Sequence, residues 1–267
     1  MEPNRYTHGH HDSVLRSHRV RNIENSAQYL APRLSAGDRV LDVGCGPGTL
    51  TASIAEAVSP GQVLGIDRSS DVVKEATSTA AARGLTNVRA EVGDVYSLDY
   101  PDDSFDVVHA HQVLQHLSDP VSALREMRRV AKPGGVVAAR DADYEAMLWY
   151  PSDERLDRWL EVYRSVARAN DAEPDAGRLM LAWAHAAGYT DVVPTASAWC
   201  FADAQTRIWW SGLWAERMVH SPVAEQAVAE GFASADELAA IAEGFHAWAA
   251  DSDSWFTVLH GEILATP

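Results

Sequence analysis

Three short apolar runs in the first half of the chain each lead to an acid. Val40-Leu41-Asp42-Val43 enters Gly44-Cys45-Gly46-Pro47-Gly48, Val63-Leu64-Gly65-Ile66 ends at Asp67, and the run from Val88 leads to Gly93-Asp94-Val95. A carboxylate accepts on both oxygens, so an acid at a strand end can hold the hydroxyls or the amine of a ligand. Glycines at alternate positions let the backbone approach that ligand closely, because no Cβ intervenes. A Gly-x-Gly-x-x-Gly dinucleotide loop would need glycine at position 49, where Thr49 stands, which disfavours nicotinamide-dependent oxidoreduction. Histidines supply the other chemistry: His8, His10 and His11 near the start, then His111 and His116. Imidazole titrates nearest neutral pH, so these are the candidate bases. Neither His10-His11 nor Asp141-Ala142-Asp143 is by itself a metal-ligand pattern, and no metal is expected.

A parallel sheet is needed to bring those acids together. Strands are predicted at 39–44, 62–67, 88–93, 105–110 and 135–140, each short, apolar or β-branched, and bounded by Gly, Asp or Pro. Helices fall between them. Thr49 to Val58 sets Leu50, Ile54 and Val58 on one face, and Ser70 to Arg83 stops at Gly84. Ser118-Asp119-Pro120 places a cap before a proline at the first helical position. This alternation predicts an α/β, doubly wound sheet through residue 141. Beyond it, helices are expected at 153–170 and 175–187, a strand over Tyr189–Trp199, helices through 203–250 and a closing strand over Trp255–Leu264.

Composition bounds the partners. The chain has 267 residues, 46% of them hydrophobic, and a formal net charge of −16. That field repels phosphate backbones and anionic lipid surfaces, so neither nucleic acid nor membrane is an expected partner. Cys45 and Cys200 are the only cysteines, too few for a disulfide framework. No apolar signal segment opens the chain, and a cytoplasmic protein, monomer or homodimer, is expected. All nine tryptophans lie between Trp149 and Trp255, so the second half should meet apolar or aromatic surfaces.

Gly-x-Gly-x-Gly with an acid two residues ahead resembles motif I of the class I S-adenosylmethionine (SAM) dependent methyltransferases. The three acids, Phe105–His111 followed by Gln112–Leu117, and Lys132-Pro133-Gly134-Gly135 before the fifth strand extend the likeness over about residues 29–141. The branch it resembles contains the ubiquinone/menaquinone-biosynthesis C-methyltransferases and many small-molecule methyltransferases. The resemblance implies a Rossmann-like seven-stranded sheet with the last strand antiparallel, SAM as cofactor and S-adenosylhomocysteine as product. It implies that Asp67 takes the ribose hydroxyls, that Arg68 lies on the adenine, and that Asp94 accepts from the adenine amine beside the Val95 N–H. Asp42, Gly44, Cys45, Gly46 and Gly93 complete that site, with Tyr6 and His111 also placed on the cofactor. His11, His111 and His116 are the catalytic candidates.

On this reading one domain fills the chain: a cap segment at 1–28, a core at 29–199 and 251–267, and an inserted helical lid at 200–250. The acceptor is expected to be a small apolar or aromatic metabolite, met by His10, Tyr144, Trp210 and Trp214. Trp210 and Trp214 share a helical face with Met218, which suits a ligand wall, a core face or a dimer interface equally. The competing reading is a protein of the SAM fold that binds a ligand without methylating it.

Overall fold

The computed structural model describes Thr7 and residues 11–267. Tyr6, His8 and His10 lie outside the described residues. Two short helices open the described chain, α1 (Asp12–Arg19) and α2 (Ile23–Ser26). The alternating core follows as β1 (Val40–Val43), α3 (Thr49–Val58), β2 (Val63–Asp67), α4 (Ser70–Ala82), β3 (Val88–Val92), β4 (Phe105–His111), α5 (Pro120–Val130) and β5 (Ala131–Ala142). Then come β6 (Leu148–Tyr150), α6 (Glu154–Ala169), α7 (Met180–Ala186) and β7 (Asp191–Phe201). The chain closes with α8 (Ala204–His220), α9 (Pro222–Ala229), α10 (Ala235–Ala250) and β8 (Trp255–Thr266).

β1 through β5 run parallel in the order β3-β2-β1-β4-β5, with Val40 beside both Val63 and Val107. Their acid-bearing carboxyl ends therefore share one edge, and the chain reverses its winding between β1 and β4, where α/β sheets bind ligands. β8 lies antiparallel to β5 on one side and to β7 on the other, with Ala139 opposite Ile263 and Val193 opposite Leu264. The expected seven strands are thus present with the last one reversed. β6 is an eighth, continuing the β5 side of β8 through Trp149 opposite Phe256. Three residues before Pro151 are too few to alternate, so periodicity could not show it.

Local chemistry fixes the helix ends. Asp119 caps α5 by accepting from the Ser122 N–H, with Pro120 in the first turn. Ser234 and Glu237 form a reciprocal capping box at the start of α10. Three cores result. One lies on the sheet around Leu41, Phe105, Leu124 and Ile263. A second packs Leu30, Leu50, Ile54 and Val58 against Val40 and Val107. The third holds Trp159, Trp214, Phe245 and Phe256 between α6, α8, α10 and β8. The helices α8–α10 are threaded between the paired strands β7 and β8. Among the described residues no helix is long and apolar enough to cross a membrane.

Candidate active site

The loop after β1 is built for close approach. Gly44, Gly46 and Gly48 hold φ of 68°, 55° and 81°, in the left-handed region that favours glycine. A Cβ at Gly44 would also stand 2.4 Å from Val113 Cγ2. The Cys45 N–H donates to Ile66 O at 2.9 Å, tying this loop to the end of β2. Asp67 braces the turn through one backbone N–H on each oxygen, from Gly46 at 3.2 Å and Ser69 at 3.0 Å. Each carboxylate oxygen keeps further accepting capacity for a ligand.

These strand ends surround a chamber of about 370 Å³. Gly44, Cys45, Gly46, Asp67, Arg68, Gly93, Val95, His111 and His116 all line it, with Ile66, Val72 and Leu117 as apolar shelf. Leu15 and His18 of α1 roof it. A second chamber of about 500 Å³ lies beyond the end of β4. Tyr144, Trp199, Phe201, Trp209, Trp210 and Trp214 give it an aromatic wall, and Arg21, Arg140, Arg217, Glu24 and Glu262 bring charge to it. His18, Arg21, Gln112 and His116 line both chambers, so the two meet there.

Several expected residues take other places. Asp42 reaches the first chamber, but its carboxylate is engaged by Thr51 Oγ1 at 2.6 Å and His109 Nδ1 at 2.8 Å. It braces β1 against α3 and β4 while lining the chamber, each oxygen carrying one bond as in Asp67. Asp94 is exposed and does not line the chamber; its Oδ1 accepts from the Tyr96 N–H at 3.0 Å and shapes the turn. His11 lines neither chamber. It caps α1, its Nδ1 accepting from the Ser13 N–H, and stands 3.9 Å from Glu216. Burial favours that outcome, since a cap satisfies an otherwise orphaned helix N–H. Asp143, weighed above as half of an Asp-x-Asp pair, is held by Arg178 at 2.7 Å.

Burial disfavours the charged form of His111, His116 and His260. Burial pushes the His116 imidazole down to about 3, with the Arg21 charge adding to it. Its Nε2 accepts from the Gln115 amide at 3.0 Å. Burial likewise holds His111 and His260 well below the usual imidazole range, helped by the charges of Arg21 and Arg140. Neither ring nitrogen of His111 meets a hydrogen-bond partner among the described residues. Tyr144, Trp210 and Trp214 are at once chamber wall and core. Tyr144 stacks on Tyr163 at 4.2 Å, Trp210 on Phe201 at 4.4 Å, and Trp214 meets Trp159 edge-on at 4.5 Å.

Gln112, named in the sequence only as the first residue of the 112–117 segment, sits at the junction. Its φ of 53° is left-handed without glycine, a conformation that costs roughly 1–3 kcal/mol and marks functional sites. Its N–H donates to Arg140 O at 2.7 Å. Its side-chain oxygen accepts from Arg21, and its amide donates to His260 Nε2 at 2.9 Å. One residue therefore links the cap, the end of β4 and β8. Arg140 and Trp199 were also missed: both sit within strands, where side-chain type alone does not mark a ligand wall.

The first chamber fits SAM. Asp67 offers a two-oxygen acceptor, Ile66 and Val95 offer apolar faces, and the loop from Gly44 to Gly46 lines one wall. Comparison with known proteins agrees. Residues 34–198 match the model of a family described as a methyltransferase domain. An uncharacterized methyltransferase of Schizosaccharomyces pombe is 36% identical over 97% of this chain and 95% of its own length. A probable methyltransferase, ltbC, of Aspergillus luteorubrus is 30% identical over 99% and 98%. Among solved structures, the [4+2]-cyclase SpnF is similar with a TM-score of 0.55 and 26% identity, covering 90% of this chain and 80% of that one. A reversed last strand beside β5, glycines folded around a cofactor-sized chamber and end-to-end methyltransferase relatives agree: the chain belongs to the class I SAM-dependent methyltransferases.

Proposed function

We propose that this enzyme methylates a small, largely apolar or aromatic metabolite seated in the second chamber. The observation that carries this reading is the junction: His18, Arg21, Gln112 and His116 line both chambers, so an acceptor against the tryptophan wall lies next to the cofactor site. When bound, SAM supplies a methyl group on a sulfonium, already a good leaving group. The chain's task is then in-line positioning and exclusion of water, and well-oriented reactants can gain about 7–11 kcal/mol that way. Asp67 and the loop from Gly44 to Gly46 hold the cofactor, with Arg68, Gly93 and Val95 lining the same chamber. His111 faces the cofactor side and His116 stands at the junction. A neutral, hydrogen-bonded His116 orients a polar group of the acceptor without bringing a second positive charge beside a sulfonium. Helices α8–α10 act as the lid. The net charge of −16 supports a small-molecule acceptor over a nucleic acid.

The test is an acceptor screen with SAM, read as S-adenosylhomocysteine release and confirmed by mass of the methylated product. Release that depends on aromatic acceptors supports the reading. A protein that binds both ligands yet leaves SAM intact would support the competing, non-methylating reading, which the likeness to a [4+2]-cyclase keeps in view.

A further inference from the structure

The acceptor chamber carries more positive charge than its protein suggests. Against a net charge of −16, three guanidinium groups line it and two carboxylates do. One of those, Glu24, is exposed. The other, Glu262, is already engaged. It pairs with Arg140 at 3.1 Å, accepts from Ser197 on the same oxygen, and accepts from Thr195 at 2.7 Å on the other. Arg140 itself is 1% exposed. Its Nε and Nη2 donate to Ser197 at 3.1 and 3.0 Å, but its Nη1 is buried with no partner among the described residues. A buried, unsatisfied donor of a charged group is costly, and an incoming acceptor atom would relieve that cost. Arg140 and Arg21 stand 5.1 and 5.8 Å from the ring of Trp199, and Arg217 stands 5.0 Å from that of Trp214. Planar aromatic surface and guanidinium donors thus lie side by side on the same wall.

We infer that the methyl acceptor is a planar aromatic molecule bearing an oxyanion, carboxylate or acidic phenolate, and that the unpartnered Nη1 of Arg140 receives that oxygen. The inference deepens the proposed methyl transfer and rests on its assignment of the second chamber to the acceptor. Ser197 and Glu262 fix the guanidinium through its other nitrogens, so Arg140 is a specificity-determining residue. A charged hydrogen bond of this kind separates an oxyanion from a neutral analogue by about tenfold or more in affinity.

The experiment titrates the S-adenosylhomocysteine-loaded protein calorimetrically with 2-naphthoate, with the near-isosteric neutral 2-naphthamide, and with 2-naphthol at pH 7 and pH 10. The expected result is naphthoate binding about tenfold tighter than the amide. Naphthol tightening at pH 10 alone would assign the subsite to phenolates; a preference confined to naphthoate would assign it to carboxylates. Removing Arg140 alone strands a buried Glu262, so the variant is Arg140→Met with Glu262→Met, which removes both charges at similar volume. It should bring naphthoate and amide within twofold while keeping the wild-type affinity for SAM, the sign that the fold is intact. Arg140→Lys should keep part of the preference. An oxyanion advantage absent both from naphthoate over the amide and from naphthol at pH 10 over pH 7, or one that persists in the double variant, would overturn the inference. A selective chamber in a protein that never releases S-adenosylhomocysteine would instead sink the methyl-transfer reading and leave Arg140 as the oxyanion contact of a bound, unmethylated ligand.

Discussion

Asp67→Ala separates the cofactor's contribution from the loop's. In the wild-type protein the carboxylate accepts from Gly46 and Ser69 at 3.2 and 3.0 Å and lines the chamber with accepting capacity left on each oxygen. The two backbone bonds lie in a half-exposed turn where water can replace the lost oxygens. Their removal should cost about 1 kcal/mol together, lowering Tm by roughly 2–4 °C in a chain of this size. Hydrogen bonds from ligand hydroxyls to a charged acceptor are worth more, about 1.5–3 kcal/mol, so the SAM Kd should rise roughly 10- to 150-fold. Calorimetric titration with SAM and with S-adenosylhomocysteine should show equal losses, because the ribose is common to both. Asp67→Asn keeps one oxygen for Ser69 and should fall between. A folded Asp67→Ala protein whose SAM affinity stays within twofold of wild type would refute the ribose assignment.

Trp214 is 1% exposed, so Trp214→Ala should destabilise by about 3–5 kcal/mol and show first as an early thermal transition. Trp210→Phe keeps a ring against Phe201 and should raise the acceptor KM while leaving the SAM Kd near wild type; parallel shifts in both would tie Trp210 to the cofactor site. Deleting residues 1–20 removes Leu15 and His18 from one chamber and Val14 and Ser17 from the other, so turnover should fall more than Tm does. Imidazoles kept neutral by burial at His111, His116 and His260 bind fewer protons folded than unfolded. Their stability is present above pH 6.5 and declines as pH falls, by about 1.4 kcal/mol per unit for each, and His116→Gln should flatten that slope in denaturant titrations at pH 5.5 and 7.5. Asp141 runs the other way. Burial pushes its carboxyl up to about 7, so its contribution is lost as pH rises, and Asp141→Asn, which keeps an oxygen for the Gln115 N–H, should stabilise at pH 8 more than at pH 5.

The nucleotide half was legible in the sequence because its physics is local. A buried strand, a glycine turn and a capped helix each leave a mark within a dozen residues, and β1 through α5 follow those marks. Asp42 and Asp94 show the limit of that reading. They stand at the same kind of strand end as Asp67, yet Asp42 also braces Thr51 and His109, and Asp94 lies outside the chamber, in the turn at Tyr96. Both outcomes depend on partners that spacing does not disclose. The wall of the second chamber was harder still. Trp210 and Trp214 could be seen as one face, but Arg140 and Gln112 could not. A buried arginine inside a strand depends on Glu262 across the sheet, and the left-handed turn of Gln112 depends on Arg140 and β8. Helix α1 is eight residues of mostly polar type, too short for periodicity to stand out.

That same helix has a thermodynamic consequence. Arg16 ties α1 to Glu216 on α8, and Arg19 ties it to Glu75 on α4 at 2.7 Å, so one short element is held against the walls of both chambers. A ligand in either chamber that fixes α1 further would lower the ordering cost met by the other, and titrating each ligand with and without its partner measures that coupling. The resulting coupling is reciprocal: the factor by which SAM improves acceptor affinity must equal the factor by which the acceptor improves SAM affinity. On the proposed reading the two sites share α1 as a roof, and a coupling between them would belong to that roof rather than to either ligand's own contacts.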